Sequence, residues 1–144
     1  MDTHLDNEYR QQRLANLEEL KRRGYEPFGA AFARDGRLGD LRARFIENAP
    51  VRAAGRVVAK REMGKSCFAH LQDATGRFQV YLKIDAVGAP AYEAFKYIDI
   101  GDHVGVAGEM FTTRTGEPTI KAAEWTLLAK GLLTPPEKWH GLHD

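Results

Sequence analysis

Apolar positions along the 144-residue chain keep one rhythm up to about residue 50 and another after it. From residue 6 to residue 23 there is neither Gly nor Pro, and Leu14, Leu17 and Leu20 recur every three residues among Arg, Lys, Glu and Gln. That spacing predicts an amphipathic helix with Gly24 at its C-cap. The stretch GYEPFGAAF reads as connecting chain, and Leu38, Leu41 and Phe45 at i, i+3 and i+7 predict a short second helix. From Val51 the period becomes two. Strands are expected over residues 51–60, 66–72 and 77–83, the last two joined across Asp73-Ala74-Thr75-Gly76. A short helix over 89–97 places Tyr92 and Phe95 on one side, and strands over 103–112 and 119–128 follow, separated by a Thr115-Gly116 turn.

Three strands, a helix and two strands within about 80 residues are the order of a five-stranded Greek-key barrel of the OB type. The expected class is mainly β with α+β character: an OB-fold barrel, N-terminal helices, and a short helix between strands 3 and 4. The expected organisation is a helical extension over 1–50, the barrel over 51–130, and an exit linker over 131–144 that carries two prolines and two glycines.

Composition adds little beyond a soluble domain: 43% hydrophobic and 28% charged residues are ordinary globular values. The length supports one real core and excludes a second catalytic domain of ordinary size within it. No apolar run approaches the ~20 residues of a membrane helix, and MDTHLDNEYRQQ lacks the order of a signal peptide, so a cytoplasmic location and no membrane partner are expected. The lone Cys67 can form no internal disulfide. Charge changes the picture more. Basic and acidic residues number nine and nine over 1–51, seven and two over 52–83, and five and nine over 84–144. The middle block is either one positive face that attracts phosphates or a solvated edge kept positive against aggregation.

Strand alternation sharpens that choice. Cys67, Ala69 and Leu71 oppose Phe68, His70 and Gln72 on the second strand, and Phe78, Val80 and Leu82 oppose Arg77, Gln79 and Tyr81 on the third. On the first strand Arg52, Arg56 and Lys60 are expected on one face. Rings, an amide and cations on one outer surface are the composition of a single-stranded nucleic-acid platform. The bland alternative is that Phe68 and Tyr81 only support the N-terminal helices.

Other chemistry fails on context. The run AKREMGKS fits a relaxed phosphate-loop pattern, but a period-two strand follows it where a helix is needed, which leaves Lys65 in a loop between strands. Cys67, His70, His140 and His143 are zinc-ligand types, yet an offset of three on a strand turns Cys67 and His70 to opposite faces. No nucleophile sits in a recognisable elbow and no carboxylate pair is spaced for acid–base work. Neither catalytic residues, a metal site nor a cofactor of its own is expected in this chain.

The runs AGRVVAKREMGKSCFAHLQDATGRFQVYLK, FKYIDIGDHVGVAGEMF, TRTGEPTI and LLAKGLLTPPEKWHGLHD closely resemble the N-terminal anticodon-binding domain of class II lysyl-tRNA synthetases. The upstream RLANLEELKRRGYEPF is similar to that family's leading helix. The Gly-Lys, Phe, Leu-Gln-Asp and Gln elements are shared with the aspartyl and asparaginyl enzymes, so the lysine assignment rests on MGKSCF, IDIGD and the PPEKWHGLHD tail.

The resemblance implies recognition of the U-rich anticodon loop of lysine tRNA. Phe68 matches the ring that stacks on the central uridine, Gln79 the amide that bonds a base edge, and Glu117 a carboxylate that helps read the anticodon. Arg61 matches a basic contact, with Lys60 beside it where some relatives carry Arg; Lys60 lacks the planar fork of a guanidinium but retains a phosphate contact. Arg56 and Lys65 join them as expected RNA contacts. Pro118 stands where Leu is usual. In that family the tail leads into a catalytic domain that binds ATP, magnesium and lysine and largely builds a homodimer. This chain is therefore expected to bind RNA without aminoacylating. The alternative is a stand-alone OB-fold RNA-binding or protein-interaction module without ligase activity.

Overall fold

The computed structural model describes residues 3–26 and 32–131, with side chains from residue 7. The order is α1 (Thr3–Arg22), α2 (Leu38–Ala43), β1 (Pro50–Glu62), β2 (Ser66–Asp73), β3 (Gly76–Lys83), α3 (Ile84–Val87), α4 (Ala89–Phe95), β4 (His103–Thr112) and β5 (Pro118–Ala129). The strands close into a barrel in the order β1-β2-β3-β5-β4. All pairings are antiparallel except β3 with β5, a parallel contact of three residue pairs, Gln79 to Tyr81 against Thr119 to Lys121. This is the expected mainly β barrel, with α3 as an additional single turn ahead of the expected helix.

One long strand serves two neighbours. The first half of β1 pairs with β4 and the second half with β2, and the register slips between Val57 and Ala59. A bulge of this kind adds one residue, bends the strand and reverses which side chains face inward. Arg56 therefore stays outside, opposite Gln72 and His103, while Lys60 falls opposite the buried Ala69 and turns inward. Arg52, Arg56 and Lys60 do not share one face, because the bulge lies between Arg56 and Lys60. Arg52 is held elsewhere, its guanidinium over the Phe32 ring and its Nε donating to the Ala33 carbonyl at 2.8 Å.

The interior is the predicted alternation: Val51, Ala53, Val57, Cys67, Ala69, Leu71, Phe78, Val80, Leu82, Val104, Val106, Ile120 and Leu127 are all buried. Full burial of each large member contributes about 1.5–3 kcal/mol. The helices cap the barrel, α2 through Leu38 and Leu41, and α4 through Tyr92, Ala94 and Phe95. A Cβ at Gly55 would come within 2.8 Å of the Leu38 side chain, so the bare backbone there is what lets α2 sit down. Trp125 stacks on Tyr25 at 4.4 Å, meets Phe95 edge-on at 5.2 Å, and donates from Nε1 to the Ala91 carbonyl.

On α1 the buried stripe differs from the expected leucines. Leu17 and Leu20 are buried, but Leu14 is 40% exposed and Arg13 takes its place at 5%. Three-residue steps drift by about 60° each around a helix of 3.6 residues per turn, so three in succession cannot all face one surface. Arg13 donates from Nη1 to the carbonyls of Ile100 (2.7 Å) and Gly131 (3.0 Å), and Asn16 donates to both oxygens of Asp99 at 3.0 and 2.9 Å. Beneath them the Lys130 ammonium donates to Asp99 and Asp102, each at 2.6 Å. The IDIGD segment is thus a polar knot that joins α1, the start of β4 and the end of β5.

A second polar anchor holds α2. The Asp73 carboxylate accepts from Leu38 N (2.9 Å), Thr75 N (2.8 Å), Thr75 Oγ1 (2.6 Å) and Gly76 N (3.2 Å). Burial alone would raise its pKa, but these donors outweigh burial and hold it below the ordinary 3.8. A carboxylate depressed in the folded state adds stability above its unfolded pKa and loses that contribution as pH falls through the folded one. Asp73→Asn is expected to be less stable than the parent at pH 7, with the gap closing below pH 3.8. Urea unfolding at pH 7 and pH 3 checks this, and an equal gap at both would rule out the ionised carboxylate as its source.

Candidate nucleic-acid interface

The outer face of β2 and β3 carries the predicted set in cross-strand rows. One row runs Arg61, Phe68, Tyr81, Lys121, and the next runs Ala59, His70, Gln79, Thr119. Register places Phe68 directly opposite Tyr81, with ring centroids 4.7 Å apart and tilted by 32°. Phe111 of β4 continues the line 5.9 Å beyond Tyr81. The three rings are half-buried, supported from the side and open enough to offer a π-face to a base. Phe111 went unassigned by sequence reasoning, although its alternation with the buried Met110 marks it as outward-facing.

Gln79 is clamped at both ends. Thr119 Oγ1 donates to the Glu117 carbonyl at 3.0 Å and accepts from Gln79 Nε2 at 3.0 Å; Gln79 Oε1 lies 3.0 Å from His70 Nε2. The chain has one direction. With the threonine proton committed to Glu117, the amide nitrogen faces Thr119, the amide oxygen faces His70, and His70 must donate. One lone pair on Oε1 and one proton on Nε2 remain for a ligand, in fixed order. Thr119 and His70 set that order, and nothing in the alternation alone singles them out.

The remaining expected residues are placed differently. Arg61 is exposed, opposite Phe68, with its guanidinium unpartnered among the described residues. Lys65 is exposed in the three-residue turn between β1 and β2, where Gly64 has φ +75°. That turn's carbonyls accept from Tyr92 Oη and Ile84 N, so the backbone shows a hairpin turn in place of a phosphate-cradling loop. Glu117 lies in the β4–β5 connection and pairs with Arg42 of α2 at 3.1 Å, both about half exposed. Such a pair is worth little and exchanges readily for a ligand. Pro118 opens β5, where a missing N–H costs no interior ladder bond.

Lys60 departs most from expectation. Its ammonium donates to the carbonyls of Ile98 (2.7 Å), Lys96 (3.2 Å) and Phe95 (3.3 Å), and its side chain is 14% exposed. It caps the C-terminal end of α4, away from the Phe68 row, because of the bulge at Val58. Arg56 lies beyond the same bulge beside His103, whose pKa is held below 6.5 by burial and then by Arg56 itself. Cys67 is inside the barrel and His70 outside; burial pushes the thiol up to about 11, so it packs as a small apolar group. His140, His143 and the PPEKWHGLHD tail lie outside the described residues. Among the described residues no helix is long and apolar enough to cross a membrane.

Residues 51–128 match the model of a family described as an OB-fold nucleic acid binding domain, named for the tRNA anticodon. The chain is 45% identical over 140 residues to a lysine–tRNA ligase of Pelotomaculum thermopropionicum, covering 96% of this chain and 28% of that protein. It is 43% identical over 146 residues to the lysine–tRNA ligase of Moorella thermoacetica, covering 100% and 30%, and 40% identical to that of Thermotoga maritima, covering 95% and 29%. The chain therefore spans less than a third of the length of these curated relatives.

Proposed function

This chain belongs to the OB-fold nucleic acid binding family, and on that premise we propose that it reads the U-rich anticodon loop of lysine tRNA for a lysine–tRNA ligase. The observation that carries this reading is the Phe68–Tyr81 pair beside a directionally locked Gln79. Phe68 offers a stacking surface, and the spare acceptor and donor of Gln79 reach the edge of the stacked base. At the centre of that edge uracil presents a donor, N3–H, where cytosine presents a bare acceptor nitrogen. A freely rotating amide would suit both, whereas a locked one distinguishes them. Arg61, Lys65 and the exchangeable Glu117 complete the surface around the base. Lys60 contributes by holding α4, and any phosphate contact from it would require leaving three carbonyls.

ATP, magnesium and a homodimer belong, on this reading, to the larger enzyme whose relatives the chain matches in part. The alternative of a barrel put to protein interaction lacks a specific supporting observation.

The test is a titration of the chain with a lysine anticodon stem-loop carrying UUU and with the same loop carrying CCC, each at two salt concentrations. Preferential binding of UUU that weakens steeply with salt is expected. Equal affinity for both loops, or none, would overturn the reading. In the same assay Thr119→Val, which keeps shape and removes the hydroxyl, is expected to lower the UUU:CCC ratio by about 3–10-fold, the worth of one ordinary hydrogen bond. An unchanged ratio would show that Gln79 needs no lock.

A further inference from the structure

A cavity of about 870 Å³ lies on the outside of the barrel where β1 bends from its pairing with β4 into its pairing with β2. Three arginines from separate elements line it: Arg34 from the segment before α2, Arg56 from β1 and Arg77 from β3. Gln72, Asp73 and His103 complete the polar lining. Asp73 is the single carboxylate there, and it is committed to its four turn and helix donors with Arg34 4.0 Å away. Arg77 is steadied by Gln72, its Nε donating to Oε1 at 2.7 Å. Arg56 is exposed, and its side chain has no hydrogen bond or ion pair among the described residues. Burial, and then Arg56, hold the His103 pKa below 6.5. The cavity thus carries positive charge in excess, with one fork wholly unspent.

Its position relates it to the base-reading rows. Arg56 pairs with Gln72, four residues along β2 from Phe68, or about 13 Å at the usual strand rise. Gln72 and Arg77 form a cross-strand pair one row beyond His70 and Gln79 on the same outer face. A strand whose base stacks on Phe68 can therefore run its backbone past Gln79 toward these arginines. Guanidinium forks match phosphate oxygens two at a time. We infer that this cavity binds the phosphodiester backbone of the RNA strand whose bases lie on the β2–β3 face, a second subsite that positions the strand without reading its sequence. The inference rests on the base-reading function proposed above.

NMR titration of the chain, following the Phe68 ring signals and the arginine Nε–Hε signals, tests it with three probes. These are a short oligouridylate, its uncharged methylphosphonate analogue, and inorganic phosphate. Oligouridylate is expected to shift Phe68 and Arg56 together, the analogue Phe68 alone, and inorganic phosphate neither at the same concentration. If oligouridylate moves Phe68 while Arg56 stays still, the cavity falls and the base-reading function stands. If neither moves, both fall. If inorganic phosphate moves Arg56 as well as oligouridylate does, the site takes a free anion and the backbone assignment is overturned. Independently, Arg56→Gln is expected to weaken UUU and CCC loops by the same factor and to flatten the slope of log K against log salt by about 0.7, one phosphate on single-stranded RNA. An unchanged slope, or a loss confined to the UUU loop, would contradict the inference.

Discussion

Lys130→Met is expected to remove about 3–5 kcal/mol of folding stability, the cost of breaking a buried ion pair from one side. The Lys130 side chain is fully buried, and its ammonium donates to Asp99, Asp102 and the Tyr97 carbonyl. Without it the buried Asp102 carboxylate keeps only the amides of Asp99 at 2.7 Å and Gly131 at 2.8 Å. Asp99 loses the same partner while still holding Asn16 of α1, so the helix loosens with the charge. Burial raises the Asp102 pKa against the pull of Lys130, and removing Lys130 removes that pull. The deficit should therefore narrow as pH falls, because a protonated Asp102 leaves no unpaired charge. Urea unfolding of Lys130→Met and of Lys130→Met/Asp102→Asn measures both effects, and the double variant should recover part of the loss. A single-variant loss below about 1 kcal/mol would mean that the knot is held mainly by Arg13 and Asn16.

Phe68→Ala is expected to weaken binding of the UUU stem-loop by ~1–3 kcal/mol, the usual worth of one base–aromatic stack. Folding should suffer less than a core truncation, since Phe68 is only half-buried and the barrel beneath it is closed by Cys67, Ala69 and Leu71. Fluorescence anisotropy of a labelled stem-loop, paired with a denaturation curve, separates the two effects. Equal affinity in a folded variant would remove Phe68 from the site and leave Tyr81 and Phe111 as the stacking surface. Affinity lost along with the melting transition would assign Phe68 to packing.

Much of the molecule is legible in one dimension because its strands have one wet face and one dry face. Alternation in SCFAHLQ and GRFQVYLK assigns Phe68 and Gln79 to the outside, and both lie there. The same alternation misplaces Lys60. In GRVVAKRE a run of small and apolar residues hides the bulge at Val58, and an extra residue is visible only against the partner strand. Arg13 is missed for a related reason: a helix stripe is read from leucines, while α1 buries an arginine against carbonyls of residues 100 and 131 that are distant in sequence.

By itself, then, the order of periodicities determined a five-stranded barrel with helices before it and within it, and the alternation determined which rings, amide and cations could meet a ligand. Local backbone geometry suffices for that, since strand and helix periods are properties of a few consecutive residues. Only the tertiary structure decided which cations serve the surface and which the fold. It placed Lys60 on a helix end, Lys130 in a buried knot, and Arg34, Arg56 and Arg77 around one cavity. It also locked Gln79 between His70 and Thr119. A charged side chain's role depends on the carbonyls, carboxylates and solvent that surround it, and those come from strands and loops as far as 118 residues away.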